Sequence, residues 1–366
     1  MSLTRDIFII LIIFSILFFS TDYWFGKAII EKIDSNRLHD NKSQISHSIY
    51  HHDIKKNLFK LNQKWGKVNY ELCTNRFGFK SSCNNIIDDK DFDIVFIGDS
   101  FTEGVGLEYE DTFVGLFSNS YPELKVANMG VSSYSPSIYR SKIQYYLEQE
   151  KMTFKHVFVF IDISDIQDEA MVYDRSKDNK VISQVHEEAK SISKIKILTE
   201  KTPILYRLLS KIYNFRGQKH QAFECQPIEC GLTTRAEWTH NPQSVDYGKR
   251  GVQFGIDSSI HHMKELYKLL NERGIGLSVG IYPWPNQLKY DVEKNTQAKI
   301  WGDFCKEKCN YFINTMPTFF EYLQSNGYVK TYQDFYIYGD VHFNKNGNKI
   351  VFEDIQKSLF QNMDRL

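Results

Sequence analysis

Asp93–Gly106 reads DIVFIGDSFTEGVG, and the fold turns on how its two halves meet. Ile94, Val95, Phe96 and Ile97 form a short, unbroken apolar run rich in β-branched residues. Such a run suits a strand buried on both faces of a parallel sheet. Gly98 permits a sharp turn at the strand's end. Ser100 then falls at the carboxyl edge of the sheet, where open α/β folds place their ligands. A serine there is a candidate nucleophile only if a base reaches it. Asp340-Val341-His342 offers one from far downstream. Ser, Asp, His is one of the chain orders in which a hydrolytic triad assembles.

Outward from this strand, apolar runs alternate with helical patterns. The spacing predicts a helix over 111–120 and a second strand over 124–127, which closes on Asn128-Met129-Gly130. A helix over 137–150 and a third, wholly apolar strand over 157–161 follow, ending on Asp162-Ile163-Ser164-Asp165. Further on come a helix over 258–273 and a fourth strand over 277–282, stopped by Pro283-Trp284-Pro285. A helix over 296–308, a fifth strand over 311–313 and a closing helix over 346–361 complete the pattern. The expectation is an α/β fold: a doubly wound, flavodoxin-like parallel sheet of five strands in three α/β/α layers. Residues 173–255 break the alternation and are too long for a plain loop. They read as a largely helical insertion, with a helix near 204–213, serving as a lid or substrate-binding subdomain.

The Gly98-Asp99-Ser100 turn, paired with Asp340 and His342, resembles the SGNH (GDSL-type) hydrolase superfamily over roughly residues 75–366. Asn75-Arg76-Phe77-Gly78-Phe79 is similar to a segment that precedes the Gly-Asp-Ser strand in many exported SGNH-like proteins. It sets the start of the hydrolase-like domain, 73–366, near residue 70. The resemblance implies Ser100 as nucleophile, His342 as base and Asp340 as the acid that orients the ring. It implies oxyanion-hole donors in the backbone N–H groups of Ser100 and Gly130, with Ser164 standing where the family usually has asparagine. The acid lies two residues before the histidine, not three, and Gly339 takes the usual position. That shorter spacing is similar to SGNH-like enzymes of bacterial polysaccharide acetylation; Asp334 is the substitute acid. Asp99, Asn128, Asp162 and Asp165 are candidate contacts to substrate hydroxyls, with helix capping the alternative for Asp162 and Asp165. The activity implied is that of a serine esterase or O-acyltransferase on cell-envelope carbohydrate or small acyl esters, beside a membrane-bound acyltransferase. A lipase or short-chain esterase, and a non-catalytic glycan-binding or scaffold subunit, are the rival readings.

The remaining signals concern compartment. Ile7–Phe19 is apolar apart from Ser15, and Arg5 precedes it. The run reaches membrane-spanning length, about 20 residues, if it extends to Phe25 with Tyr23, Trp24 and Phe25 as an aromatic anchor. No small-residue cleavage site follows, which favours an uncleaved signal-anchor over 1–26 above a removed signal peptide. Residues 27–72 are polar and read as a stalk and an arm leading into the domain. Six cysteines fall in local couples, Cys73/Cys83, Cys225/Cys230 and Cys305/Cys309, as suits disulfides in an oxidising, extracytoplasmic compartment. The couples lack zinc-ligand spacing, so no metal is expected. No Walker A or G-x-G-x-x-G loop points to a cofactor. The 366-residue chain carries 45 acidic and 45 basic side chains, and this zero net charge gives no nucleic-acid footprint.

Overall fold

Successive residues of a strand point to opposite faces of a sheet, so a strand covered on both sides must be apolar throughout. The central strands follow that rule. Val95 and Ile97 enter one hydrophobic core and Phe96 the other; Val157 and Val159 are divided in the same way from Phe158 and Phe160. The computed structural model describes residues 2–34, 43–184, 202, 204–205, 231–292 and 294–360. Its elements begin with α1 (Ser2–Asp34), β1 (Gln44–His47), β2 (His51–Ile54), β3 (Leu61–Trp65), β4 (Val68–Thr74), β5 (Lys80–Ser81) and β6 (Asp91–Ile97). Then come α2 (Ser100–Glu103), α3 (Phe113–Ser120), β7 (Val126–Asn128), α4 (Pro136–Glu148), β8 (Thr153–Phe160), α5 (Asp165–Met171), β9 (Tyr173–Arg175) and β10 (Val181–Ser183). The chain closes with α6 (Gly251–Asn271), β11 (Gly276–Ile281), α7 (Pro285–Tyr290), α8 (Thr296–Cys305), β12 (Tyr311–Asn314), α9 (Met316–Phe335) and α10 (Lys345–Phe360).

The main sheet has the order β12-β11-β8-β6-β7-β5-β4-β3. The pairs β12/β11, β11/β8, β8/β6 and β6/β7 run parallel. β5, β4 and β3 then add on antiparallel. The sheet is therefore mixed and eight-stranded, which corrects the expectation of five parallel strands. The three additional strands lie toward one edge. Their polar residues interrupt any continuous apolar run, and in VNYELCT only an alternation of Val68, Tyr70 and Leu72 betrays β4. Side chains of α4, α6 and α8 pack into one core with one sheet face. Those of α3, α9 and α10 pack into the other.

Two compact units divide the chain. One comprises Met1–Asp40 and Val185–Phe223, the other Asn41–Gln184 and Glu224–Leu366. The larger unit thus begins about thirty residues before the expected domain start, because the supposed arm supplies β1–β4. In the smaller unit, Arg5–Gly26 of α1 has a mean hydropathy of 2.1 and is long and apolar enough to cross a membrane. The Asp22 carboxylate accepts the N–H groups of Ile204 and Leu205 at 2.7 and 2.9 Å. Of the expected insertion, 173–183 forms the antiparallel pair β9/β10, and α6 begins at Gly251. Cys225, Cys230 and most of the helix expected at 204–213 lie outside the described residues. Cys73 is bonded to Cys83 and Cys305 to Cys309, with Cα separations of 5.3 and 4.7 Å.

Candidate active site

β6 ends at Ile97, and the turn through Gly98 is too tight for any side chain. A Cβ there would lie 2.1 Å from Thr102 Oγ1 and 2.7 Å from the Phe160 carbonyl oxygen. The turn delivers Ser100 as the first residue of α2, capped by the Asp99 side chain, which accepts the Phe101 N–H at 3.0 Å. From the segment between α9 and α10 comes His342, whose Nε2 lies 2.7 Å from Ser100 Oγ. Nδ1 on the other side of the ring meets Asp340 Oδ1 at 2.5 Å. The same oxygen accepts the His342 backbone N–H at 3.0 Å, while Asp340 Oδ2 accepts the indole N–H of Trp65 at 2.9 Å. The Phe101 ring packs against the imidazole, with ring centroids 4.7 Å apart. Ser100 and His342 are both buried.

Burial alone works against a charged imidazole. The charge and hydrogen bond of Asp340, with Asp99 and Asp162 beyond it, outweigh that cost and raise the His342 pKa above 6.5. Asp99 experiences the reverse. Burial, followed by the neighbouring Asp162 carboxylate, lifts its pKa well out of the usual carboxylate range. Its Oδ2 accepts from Ser100 Oγ at 3.0 Å, and its Oδ1 accepts from Tyr282 Oη at 3.0 Å.

The four residues expected to contact substrate, Asp99, Asn128, Asp162 and Asp165, form the floor of the site. All four are buried, and their partners lie within the protein. Asp162 accepts from Trp284 Nε1 at 2.6 Å and from the Ser164 backbone N–H at 2.7 Å. Asp165 accepts from Tyr139 Oη at 2.9 Å. The Asn128 amide donates to the Thr102 carbonyl and accepts the Gly130 N–H at 3.0 Å. These groups tie the strand ends together below the reacting atoms.

The groups expected as oxyanion donors differ in what they have free to offer. Ser100 opens α2, where a helix has N–H groups without intrahelical acceptors. Gly130 N–H is engaged by Asn128, and Ser164 has only its hydroxyl left to offer because Asp162 takes its backbone N–H. The Asp334 carboxylate is held by Lys330 Nζ at 2.7 Å and by Tyr322. Trp65, Tyr282, Trp284 and Arg235 are the residues that sequence reasoning missed. Arg235 binds both Asp168 carboxylate oxygens at 2.8 Å and feels the charge of Asp162 and Asp99 beyond it. A Pro-Trp-Pro segment at a strand's carboxyl end was the available signal for Trp284. Nothing in the polar stretch around Trp65 marked it.

No family model and no curated protein matches the chain. Among solved structures it is similar to an acetylxylan esterase from Geobacillus stearothermophilus, at 14% identity and a TM-score of 0.40, covering 73% of this chain and 94% of that one. It is also similar to a psychrotrophic esterase from Pseudoalteromonas sp., at 11% identity and a TM-score of 0.38, covering 75% and 100%. A third is a member of the lipolytic protein G-D-S-L family from Veillonella parvula, at 13% identity and a TM-score of 0.39, covering 73% and 98%. These likenesses are faint, and the chemistry rests on the residues of this chain.

Proposed function

We propose that this chain is a serine-dependent ester hydrolase or O-acyltransferase of the SGNH type. The observation that carries the reading is the relay from Ser100 Oγ to His342 Nε2 to Asp340 Oδ1, at 2.7 and 2.5 Å. His342 Nε2 takes the hydroxyl proton as Ser100 Oγ bonds to the ester carbonyl carbon. Asp340 holds the ring tautomer and stabilises the imidazolium. The tetrahedral intermediate collapses as His342 returns the proton to the leaving alcohol, and an acyl-enzyme remains on Ser100. Water or a sugar hydroxyl, deprotonated by the same nitrogen, then takes the acyl group.

The proposed substrates are O-acyl esters of cell-envelope carbohydrate, with the larger unit on the outer side of the membrane that α1 spans. Support comes from the apolar length of Arg5–Gly26 and from the two disulfides, which suit an oxidising compartment. A membrane-bound acyltransferase as acyl donor belongs to the same proposal and rests on the resemblance in sequence. A second reading, a non-catalytic glycan-binding subunit, is favoured by one observation: the Gly130 N–H is already occupied by Asn128. A fluorophosphonate probe decides between them. Labelling of wild type at Ser100, lost in Ser100→Ala, is the expected result; an unlabelled wild type overturns the catalytic reading. Acyl transfer to an added glycan, measured against release to water, separates transferase from esterase.

A further inference from the structure

We infer that Trp65 is a positioning residue for this site: its indole N–H fixes the Asp340 carboxylate in the orientation that holds the His342 ring. The inference rests on the reading of Ser100, His342 and Asp340 as the reacting set.

The short Asp-x-His spacing sets the geometry. Because Asp340 stands two residues before His342, its Oδ1 closes an Asx-type turn by accepting the His342 backbone N–H at 3.0 Å. That same oxygen accepts from Nδ1 of the ring. One carboxylate oxygen is thus committed to both the backbone and the side chain of the base, and the other is directed elsewhere. Oδ2 meets Trp65 Nε1 at 2.9 Å. The indole also stands edge-on to the imidazole, with ring centroids 5.0 Å apart, so it lies against both members of the pair.

A local device brings Trp65 there. β3 and β4 pair antiparallel with Trp65 opposite Val68, which leaves Gly66-Lys67 as a two-residue turn. Gly66 has φ of 58°, the positive value that the first position of such hairpin turns requires. The Asp340 backbone is secured independently: its N–H donates to Tyr332 Oη at 3.0 Å, and its carbonyl accepts from that hydroxyl at 2.8 Å. Removing the indole N–H therefore takes this hold off Oδ2 and leaves the loop in place.

The test is Trp65→Phe in the full chain, assayed on a small activated acetyl ester beside Ser100→Ala and Asp340→Ala. The lost bond is charge-assisted, and a fall in kcat of roughly ten- to a hundredfold is expected, with KM unchanged. The acid limb of the rate profile should move to lower pH, since Asp340 then opposes the burial of His342 less effectively. In an Asp340→Ala background, Trp65→Phe should cost nothing further. Wild-type kcat and limb in Trp65→Phe, or the same fold-loss in the Asp340→Ala background, would overturn the inference. Turnover surviving in Ser100→Ala would overturn the catalytic reading instead, so the two failures are distinct. In the otherwise wild-type chain labelled with 15N-tryptophan, Asp340→Ala should displace the Trp65 indole N–H resonance. A resonance that does not move overturns the contact even if Trp65→Phe is too unstable to assay.

Discussion

Ser100 Oγ lies 2.7 Å from Nε2 of His342, although 242 positions separate the two residues in the chain. The contact joins the carboxyl end of β6 to the segment before α10, and its value is chemical. Ser100→Ala removes one hydroxyl from a helix start whose cap is supplied by Asp99, so the fold should persist with little change in Tm. Ester turnover should fall by roughly 10⁴-fold or more, because members of such a set act as a unit. His342→Ala should cost nearly as much and Asp340→Ala less. Steady-state rates beside circular dichroism check this, and near-wild-type turnover in Ser100→Ala would exclude it as the nucleophile.

The pH profile follows from the raised pKa of His342. The general base must be neutral, so kcat/KM should fall as pH drops through the free-enzyme pKa, and this limb should lie above 6.5. Stability linked to the same group has the opposite sign. The fold binds the imidazole proton more tightly than the unfolded chain does, so this stabilisation is complete below 6.5 and is lost as pH rises through the folded pKa. Asp340→Asn should shift the limb downward, because burial is then less opposed. A limb that stays in place would show that Asp340 does not set the proton affinity of the ring.

Asp165 offers a test of the acidic floor. Its Oδ2 accepts from Tyr139, while Oδ1 has no hydrogen-bond partner among the described residues. Burial, then the Asp162 and Asp99 carboxylates, raise its pKa well above 3.8. The proton is therefore held more tightly in the fold, and the associated stability is present below 3.8 and lost as pH rises through the folded value. Asp165→Asn should raise Tm at pH 8, and the gain should shrink on acidification as wild type takes up its proton. Thermal melts across pH measure this; a gain independent of pH would place the cost elsewhere.

What the sequence made legible is what has a period or a turn. β6 and β8 end in continuous apolar runs because both of their faces are covered, and Ser100 sits where such a run meets a glycine. Asp340 and His342 were legible through their order after the serine and through the resemblance that the Gly-Asp-Ser turn carries. The strands β3–β5 were not, because polar residues interrupt them and leave only a short alternation. Trp65 was hidden for the same reason: its role depends on a hairpin that carries it to a residue 275 positions away. The internal partners of the acidic strand ends were hidden for a different reason. Burial and internal partners are tertiary facts, and a carboxylate at a strand's carboxyl end looks the same in sequence whether it faces a ligand or Trp284.

Gly130 links the strand-end turn to the nucleophile through packing. A Cβ at this position would lie 2.6 Å from the Glu103 backbone nitrogen and 2.7 Å from Thr102 Cβ, both in α2. A backbone atom of a four-residue helix cannot withdraw without moving Ser100 at its start. The turn is also tied to α2 from the other side, since the Glu103 carboxylate accepts both the N–H and the hydroxyl of Ser132 at 2.7 Å. Gly130→Ala should therefore lower stability by about 1–3 kcal/mol, the usual cost of overpacking. It should also lower kcat, because Ser100 Oγ is pushed off the line to His342 Nε2. Tm and kcat read these two effects separately. A variant with wild-type values of both would mean that the turn and α2 can part without cost, and that Gly130 does not position the nucleophile.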